Sequence, residues 1–241
     1  MKINRFFALP GLFALFVTAC GGEGPPAAAD AEAMSDGWIG LFNGDNLDGW
    51  RSYGEATVLA PWTVEDGAIF LAVDADEEGM TGGDLITEEQ FENFELELEW
   101  KISPGGNSGV FFGVREIEGH DVAYLTGVEM QVLDDDGHAD GANPETSAGS
   151  CYALYARSER VTRPVGEYNQ ARIVVQDGVV EHWLNGRKIV EYDMNSDEWA
   201  RRVAASKFAD WEHFARYRRG HISLQDHTDP VWYRNIRIRE L

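Results

Sequence analysis

From Trp38 to the C-terminus, apolar and polar positions alternate with a period of two, the pattern of half-buried strands. Phe94, Leu96, Leu98, Trp100 and Ile102 alternate with Glu95, Glu97, Glu99 and Lys101, which predicts one long strand with a core face and a polar face. Val128-Glu129-Met130-Gln131-Val132 repeats the pattern. Short strands are predicted over 171–176, 179–184 and 188–192, separated by Asp177-Gly178 and Asn185-Gly186. Both dipeptides accept the positive φ that two-residue hairpin turns require. The last strands run over 221–225 and 231–238, and only Ser196 to Phe214 looks helical. Many antiparallel strands with one helical insertion near 196–214 predict an all-β fold, an antiparallel two-sheet jelly-roll sandwich.

The first residues break this pattern. Lys2 and Arg5 precede an apolar run of 12 residues from Phe6 to Val17. A bilayer core takes roughly 20 residues to cross, so the run reads as an export leader and not as a membrane span. It ends in Val17-Thr18-Ala19-Cys20, which resembles a bacterial lipobox. The expectation is a signal peptide over 1–19, a lipidated Cys20, and a tether over 20–36 rich in Gly, Pro, Ala and acid. The alternative is an ordinary secretory peptide with an incidental cysteine. Gly21 after the cysteine favours sorting to the outer membrane of a Gram-negative cell, and the folded domain is expected over 37–241.

Charge narrows the partners. The chain carries 20 Lys+Arg against 42 Asp+Glu, a net charge of −22. Nucleic acids and anionic headgroups are poor partners for such a surface, because both require clustered cations. With two cysteines, one of them assigned to lipid, Cys151 stands alone. No intramolecular disulfide and no thiolate zinc site is expected.

Candidate chemistry gathers where strands end. If Val128, Met130 and Val132 face the core, Glu129 and Gln131 face the opposite side. Leu133-Asp134-Asp135-Asp136-Gly137-His138 then piles acids and a histidine at the strand end. This is either a solvated loop or a site; its oxygens could hold Ca²⁺, although the EF-hand spacing is missing. Glu95, Glu97 and Glu99 read as a solvated row. Asn107-Ser108-Gly109 reads as a turn entering a strand, and Gln225-Asp226-His227 ends another. His120, His182, His213 and His221 show no metal-ligand spacing. Zinc-protease, serine-hydrolase and phosphate-loop motifs are absent from the sequence.

Several segments together resemble the bacterial 3-keto-disaccharide hydrolase family. They are Gly37-Trp38-Ile39-Gly40-Leu41-Phe42-Asn43-Gly44, Leu47-Asp48-Gly49-Trp50, Pro104-Gly105-Gly106-Asn107-Ser108-Gly109 and Glu129-Met130-Gln131-Val132-Leu133-Asp134. His182-Trp183-Leu184-Asn185-Gly186, Ser206-Lys207-Phe208, Gly220 to His227 and Val231 to Ile236 extend the match over about 38–241. The resemblance implies a concanavalin A-like sandwich related to laminarinase-type glycosidases, and glycosides oxidised at C-3 as substrates. It also implies an oxidoreductase that forms the 3-keto group upstream.

Laminarinase-like retaining enzymes place carboxylates along one strand, and Glu129, Gln131 and Asp134 echo that layout with Gln in the middle. A retaining pair needs ~5–5.5 Å between carboxyls, whereas five strand residues span ~16 Å. A 3-keto sugar offers another route, since its ketone acidifies the C-2 hydrogen and one base can start elimination at C-1. On this reading Glu129 or His138 is the base, and Lys207 or His227 polarises the ketone or protonates the leaving oxygen. Asn107, Gln131, Asp134, Gln225 and Trp232 are the expected sugar-binding residues. A non-catalytic lectin-like module and a structural lipoprotein are the rival readings.

Overall fold

The computed structural model describes residues 36–73 and 83–241. The expected leader, Cys20 and nearly all of the tether lie outside the described residues. Thirteen strands run in chain order: β1 Ile39–Gly40, β2 Trp50–Ser52, β3 Trp62–Glu65, β4 Ala68–Leu71, β5 Leu85–Thr87, β6 Phe94–Ile102, β7 Asn107–Val114, β8 Val128–Leu133, β9 Asn169–Gln176, β10 Val179–Leu184, β11 Arg187–Asp193, β12 His221–Leu224 and β13 Val231–Glu240. One sheet has the order β11-β10-β9-β6-β13-β4-β3, with β1 also on β13, and the other β2-β5-β12-β7-β8. All pairings are antiparallel. The expected all-β two-sheet sandwich is the observed fold.

The period-two pattern explains the layers. Phe94, Leu96, Leu98, Trp100 and Ile102 turn inward and are at most 3 % exposed. They meet Val110, Phe112, Val128, Met130 and Val132 of the five-stranded sheet in one core. On the outer face the glutamates of β6 are not a repelling row. The β13 register sets Arg234 opposite Glu99, Arg237 opposite Glu97 and Arg239 opposite Glu95, and each arginine pairs with its glutamate. These part-buried cross-strand pairs fix the register of β6 against β13.

Both expected hairpin turns form. Asp177-Gly178 and Asn185-Gly186 take φ of 50° and 86°, and 48° and 79°, joining Gln176 to Val179 and Leu184 to Arg187. The helical insertion is shorter than its pattern. Helix α1 covers Asp197–Ala204, where the Trp199 N–H donates to Ser196 Oγ at 3.1 Å and Glu198 pairs with Arg202 four residues on. Beyond it the Ser206 hydroxyl donates to the Val203 carbonyl and accepts from the Phe208 N–H, which closes the last turn. Residues 206–217 continue as turns, held by Phe208 and Phe214, whose buried rings stack at 4.0 Å. This segment lies over the outer face of the five-stranded sheet.

Candidate active site

Asn107-Ser108-Gly109 opens β7, and each residue has a different task. Ser108 points inward; its hydroxyl donates to the Gln225 carbonyl at 2.8 Å and accepts from the buried Tyr233 hydroxyl at 2.8 Å. That ties β7 to the end of β12 and to the opposite sheet. Asn107 and Gly109 point outward. Gly109 sits opposite Gln131 in the ladder, and a Cβ there would lie 3.0 Å from Cγ and Cδ of Glu129. The missing side chain is the space in which the Glu129 carboxyl rests.

Glu129 lies on the edge strand β8, and that edge is covered. The Gly149 N–H donates to the Gln131 carbonyl at 2.8 Å, and the Tyr152 N–H to the Glu129 carbonyl at 3.2 Å. His182 holds this covering segment from below. Its buried ring bonds the Gly149 carbonyl at 3.1 Å and the Tyr192 hydroxyl at 3.2 Å. Burial pushes the His182 pKa down to about 4, so the ring is a neutral strut.

The carboxyl of Glu129 therefore sits in a half-buried recess at the wall of the cleft. Burial pushes its pKa up to about 8; the Lys207 cation opposes the rise, and Asp84 and Asp140 add to it. Lys207 comes from the segment after α1. Its ammonium lies 4.3 Å from the centre of the Tyr152 ring and 5.3 Å and 5.9 Å from those of Phe208 and Trp211. Burial lowers its pKa, against the pull of Glu129 and Asp140. Among the described residues no carboxylate comes within 4 Å of it, so Glu129 and Lys207 line one cleft without closing on each other. His227 stands across the cleft, with Nε2 3.4 Å from Asn107 Nδ2 and Nδ1 3.8 Å from Asp229 Oδ2. The Asp229 carboxylate raises its pKa, with burial acting the other way.

The cleft encloses about 310 Å³, at the lower end of small-molecule sites. Three buried side-chain oxygens in its lining have no hydrogen-bond donor: Asn107 Oδ1, Gln131 Oε1 and Gln225 Oε1. Buried acceptors are rarely left without a donor from protein, water or ligand. Three of them in one wall, facing the partly exposed rings of Tyr124 and Trp211, suit a ligand with several hydroxyls and an apolar ring face. A roomier groove of about 640 Å³ lies on the outer face of the eight-stranded sheet. There Glu97 and Glu99 are met by Arg237 and Arg234, so it offers no comparable set of open acceptors.

Six expected site residues thus share the cleft: Asn107, Glu129, Gln131, Lys207, Gln225 and His227. Three do not. Asp134 accepts the N–H groups of Gly105 and Asp136 and fixes the turn before β7. His138 uses Nδ1 to accept the Asp140 N–H and caps a 3-10 turn, so its basic nitrogen is occupied away from the cleft. Trp232 lies on the outer face of the other sheet, stacked on Phe70 at 4.6 Å with its N–H donating to Glu65. The acid loop is also committed. Asp135 pairs with Arg157 and Asp136 with Arg160, which leaves no open oxygen cage for Ca²⁺. Among the described residues no group of three or more His, Cys, Asp or Glu is placed to hold a metal ion.

The sequence reading missed Tyr152, Tyr124, Trp211 and Asp84. Aromatic bunching over Phe208, Trp211 and Phe214 was a signal for the covering segment. Nothing local marks Asp84, whose partners lie 39 and 142 positions away.

Residues 37–239 match the model of a family described as a 3-keto-alpha-glucoside-1,2-lyase-like domain. The chain is 37 % identical over 230 residues to a 3-keto-disaccharide hydrolase of Bacteroides thetaiotaomicron, covering 86 % of this chain and 79 % of that one. A crystal structure of a candidate glycosyl hydrolase from Parabacteroides distasonis superposes with a TM-score of 0.77 at 31 % identity, over 85 % of this chain and 94 % of that one. A second from the same organism gives 0.65 at 27 % identity, over 85 % and 99 %.

Proposed function

The chain belongs to this 3-keto-alpha-glucoside-1,2-lyase-like family, and from that premise we propose that it cleaves 3-keto-disaccharides by elimination across C-1 and C-2 followed by hydration. The observation that carries the mechanism is the pairing of one carboxylate of raised pKa with one cation in the lining of a single cleft. Glu129 takes the C-2 proton, and the C–H electrons move into an enolate whose oxygen faces Lys207 or His227. The enolate then collapses, the C-1 oxygen bond breaks, and the leaving alkoxide takes a proton from the cationic side. Water adds across the resulting C-1/C-2 double bond, and the net reaction is hydrolysis. This order accommodates both a lyase and a hydrolase within one family.

A double displacement has less support. It requires a second carboxylate beside Glu129, and Asp134, five residues along, is held by Gly105 and Asp136. Asn107, Gln131 and Gln225 accept the substrate hydroxyls, and Tyr124 and Trp211 flank the ring. A 3-keto group on the substrate implies an oxidoreductase acting earlier.

Incubation with a 3-keto-disaccharide in D₂O, followed by NMR, tests the mechanism. The expected result is free sugar with deuterium at C-2, or an unsaturated 3-keto intermediate. Sugar released with protium retained at C-2 would return the reaction to a direct glycosidase.

We further propose that the chain is exported and lipid-anchored through Cys20, with the catalytic domain held by the tether. Labelled palmitate fed to expressing cells should enter the protein, and Cys20→Ser should abolish the label and release the protein to the soluble fraction. An unlabelled wild type would remove the anchor.

A further inference from the structure

Asp84 is 6 % exposed and precedes β5 directly. Its two carboxylate oxygens reach two different loops. Oδ2 accepts the Ala123 N–H at 2.9 Å, and Oδ1 accepts the Asp226 N–H at 3.0 Å. Ala123 opens the 3-10 turn Ala123–Leu125, which carries Tyr124. Asp226 lies between Gln225 and His227. Tyr124, Gln225 and His227 all line the cleft, and Asp84 does not. The backbone carbonyl of Asp84 in turn accepts the Tyr53 N–H at 2.8 Å, so the residue is anchored to the residue that follows β2.

The residue type follows from the donors. Two inward-pointing N–H groups require two acceptors on one short side chain, and an ionised Asp supplies both. Asn supplies one acceptor and turns an amide N–H against the other donor. Glu would carry the same oxygens one methylene too far into a packed site. The charge also acts through space, since Asp84 stands near His227 and Asp226 and adds to the basicity of Glu129.

We propose that Asp84 is a positioning residue of the active site, one carboxylate that fixes the two loops carrying Tyr124, Gln225 and His227. The kinetic consequence rests on the function proposed above; the structural one does not. Through Asp226 it sets where His227 and Gln225 meet the sugar, and through Ala123 it sets the turn that leads into β8 and Glu129.

The test is Asp84→Asn in the otherwise intact protein, together with NMR of the wild type. In the wild type the Ala123 and Asp226 amide protons should titrate together, with one shared midpoint near 6, the value to which burial lifts the Asp84 carboxyl. Separate or absent titrations would overturn the shared-carboxylate geometry, and this readout needs neither a folded variant nor a substrate. In Asp84→Asn the His227 ring should titrate at lower pH, because a neighbouring negative charge has gone. Its kcat/KM on a 3-keto-disaccharide should fall by about 10- to 100-fold, the scale of small misplacements, with the acidic limb of the pH profile moved downward. A purely structural role predicts a lower Tm with kcat, KM and pH profile within twofold of wild type, and that outcome would overturn positioning. A wild type with no turnover would instead sink the proposed function, and the amide and His227 titrations would still decide the role of Asp84.

Discussion

Glu129→Gln should abolish most turnover and at the same time stabilise the protein. The amide keeps the size of the carboxyl and its place beside Gly109, but it cannot take a proton from carbon. Loss of a general base costs typically 10²–10⁴ in rate, and kcat/KM of the variant should fall into that range. In the wild type, kcat/KM should rise with pH up to about 8, because the base must be ionised and burial holds its pKa there, and fall again where the proton-donating cation is lost.

The stability arm has its own sign. The folded pKa of Glu129 stands above the ordinary carboxylate value of 4.5, so the folded state binds more protons than the unfolded state between those two values. Wild-type stability therefore declines across that window as pH rises, and the deficit is complete above about pH 8. Gln carries no such burden. Solvent reaching the open cleft reduces the effect below what the full shift implies, to about 1 kcal/mol, or a Tm gain of about 2–4 °C at pH 9. At pH 4 both proteins should melt together. Turnover above a tenth of wild type would remove Glu129 as the base, and a Tm gain equal at all pH values would assign the stability change to packing.

The sandwich was legible because its strands alternate cleanly. Glu129 and Gln131 could be placed on one face from period two alone, since Val128, Met130 and Val132 have to be buried. The same reasoning could not separate a glutamate that lines the cleft from a solvated one. Glu95, Glu97 and Glu99 alternate as regularly, yet they face arginines laid down by β13 more than 130 residues later. What distinguishes Glu129 is the shell around it: a glycine across the ladder, a covering segment on its edge and a lysine from beyond α1. All three are long-range facts. His138 misled for the opposite reason. A histidine after three acids suggests chemistry locally, but the loop turns back, and the ring caps the backbone two residues on. Trp232 failed on sheet assignment, because alternation shows that a side chain faces outward without showing from which sheet.

Glu129 and Asp84 together explain why the cleft tolerates so much unfavourable burial. On the mechanism proposed above, a base with a pKa near neutral is both available and strong, and that tuning requires partial desolvation of the carboxyl and a second negative charge nearby. The acceptor oxygens of Asn107, Gln131 and Gln225 lie in the same lining and match the hydroxyls of the proposed substrate. The core is continuous between the two sheets, and the cleft opens against it, sharing Val128, Cys151, Leu154, Phe208 and Phe214 with it.

Lys207→Met should be nearly as damaging as the loss of the base, and its pH signature should have the opposite sign to that of Asp84→Asn. Methionine fills the same slot between Tyr152, Phe208 and Trp211, where the polarizable thioether packs well on rings, so folding should be retained. What disappears is a cation aimed at the place where negative charge develops. Removing one such stabilising group costs ~10²–10³ in kcat, with a smaller change in KM, because the ketone gains most of its charge only in the transition state. Lys207 also pulls the Glu129 pKa down. Without it the acidic limb of the pH profile should move to higher pH, whereas Asp84→Asn moves that limb to lower pH. The two shifts together would place both charges around one titrating carboxyl. A Lys207→Met enzyme with kcat within a few fold of wild type and an unmoved limb would show that the ammonium only packs against Tyr152, and electrophilic assistance would then fall to His227.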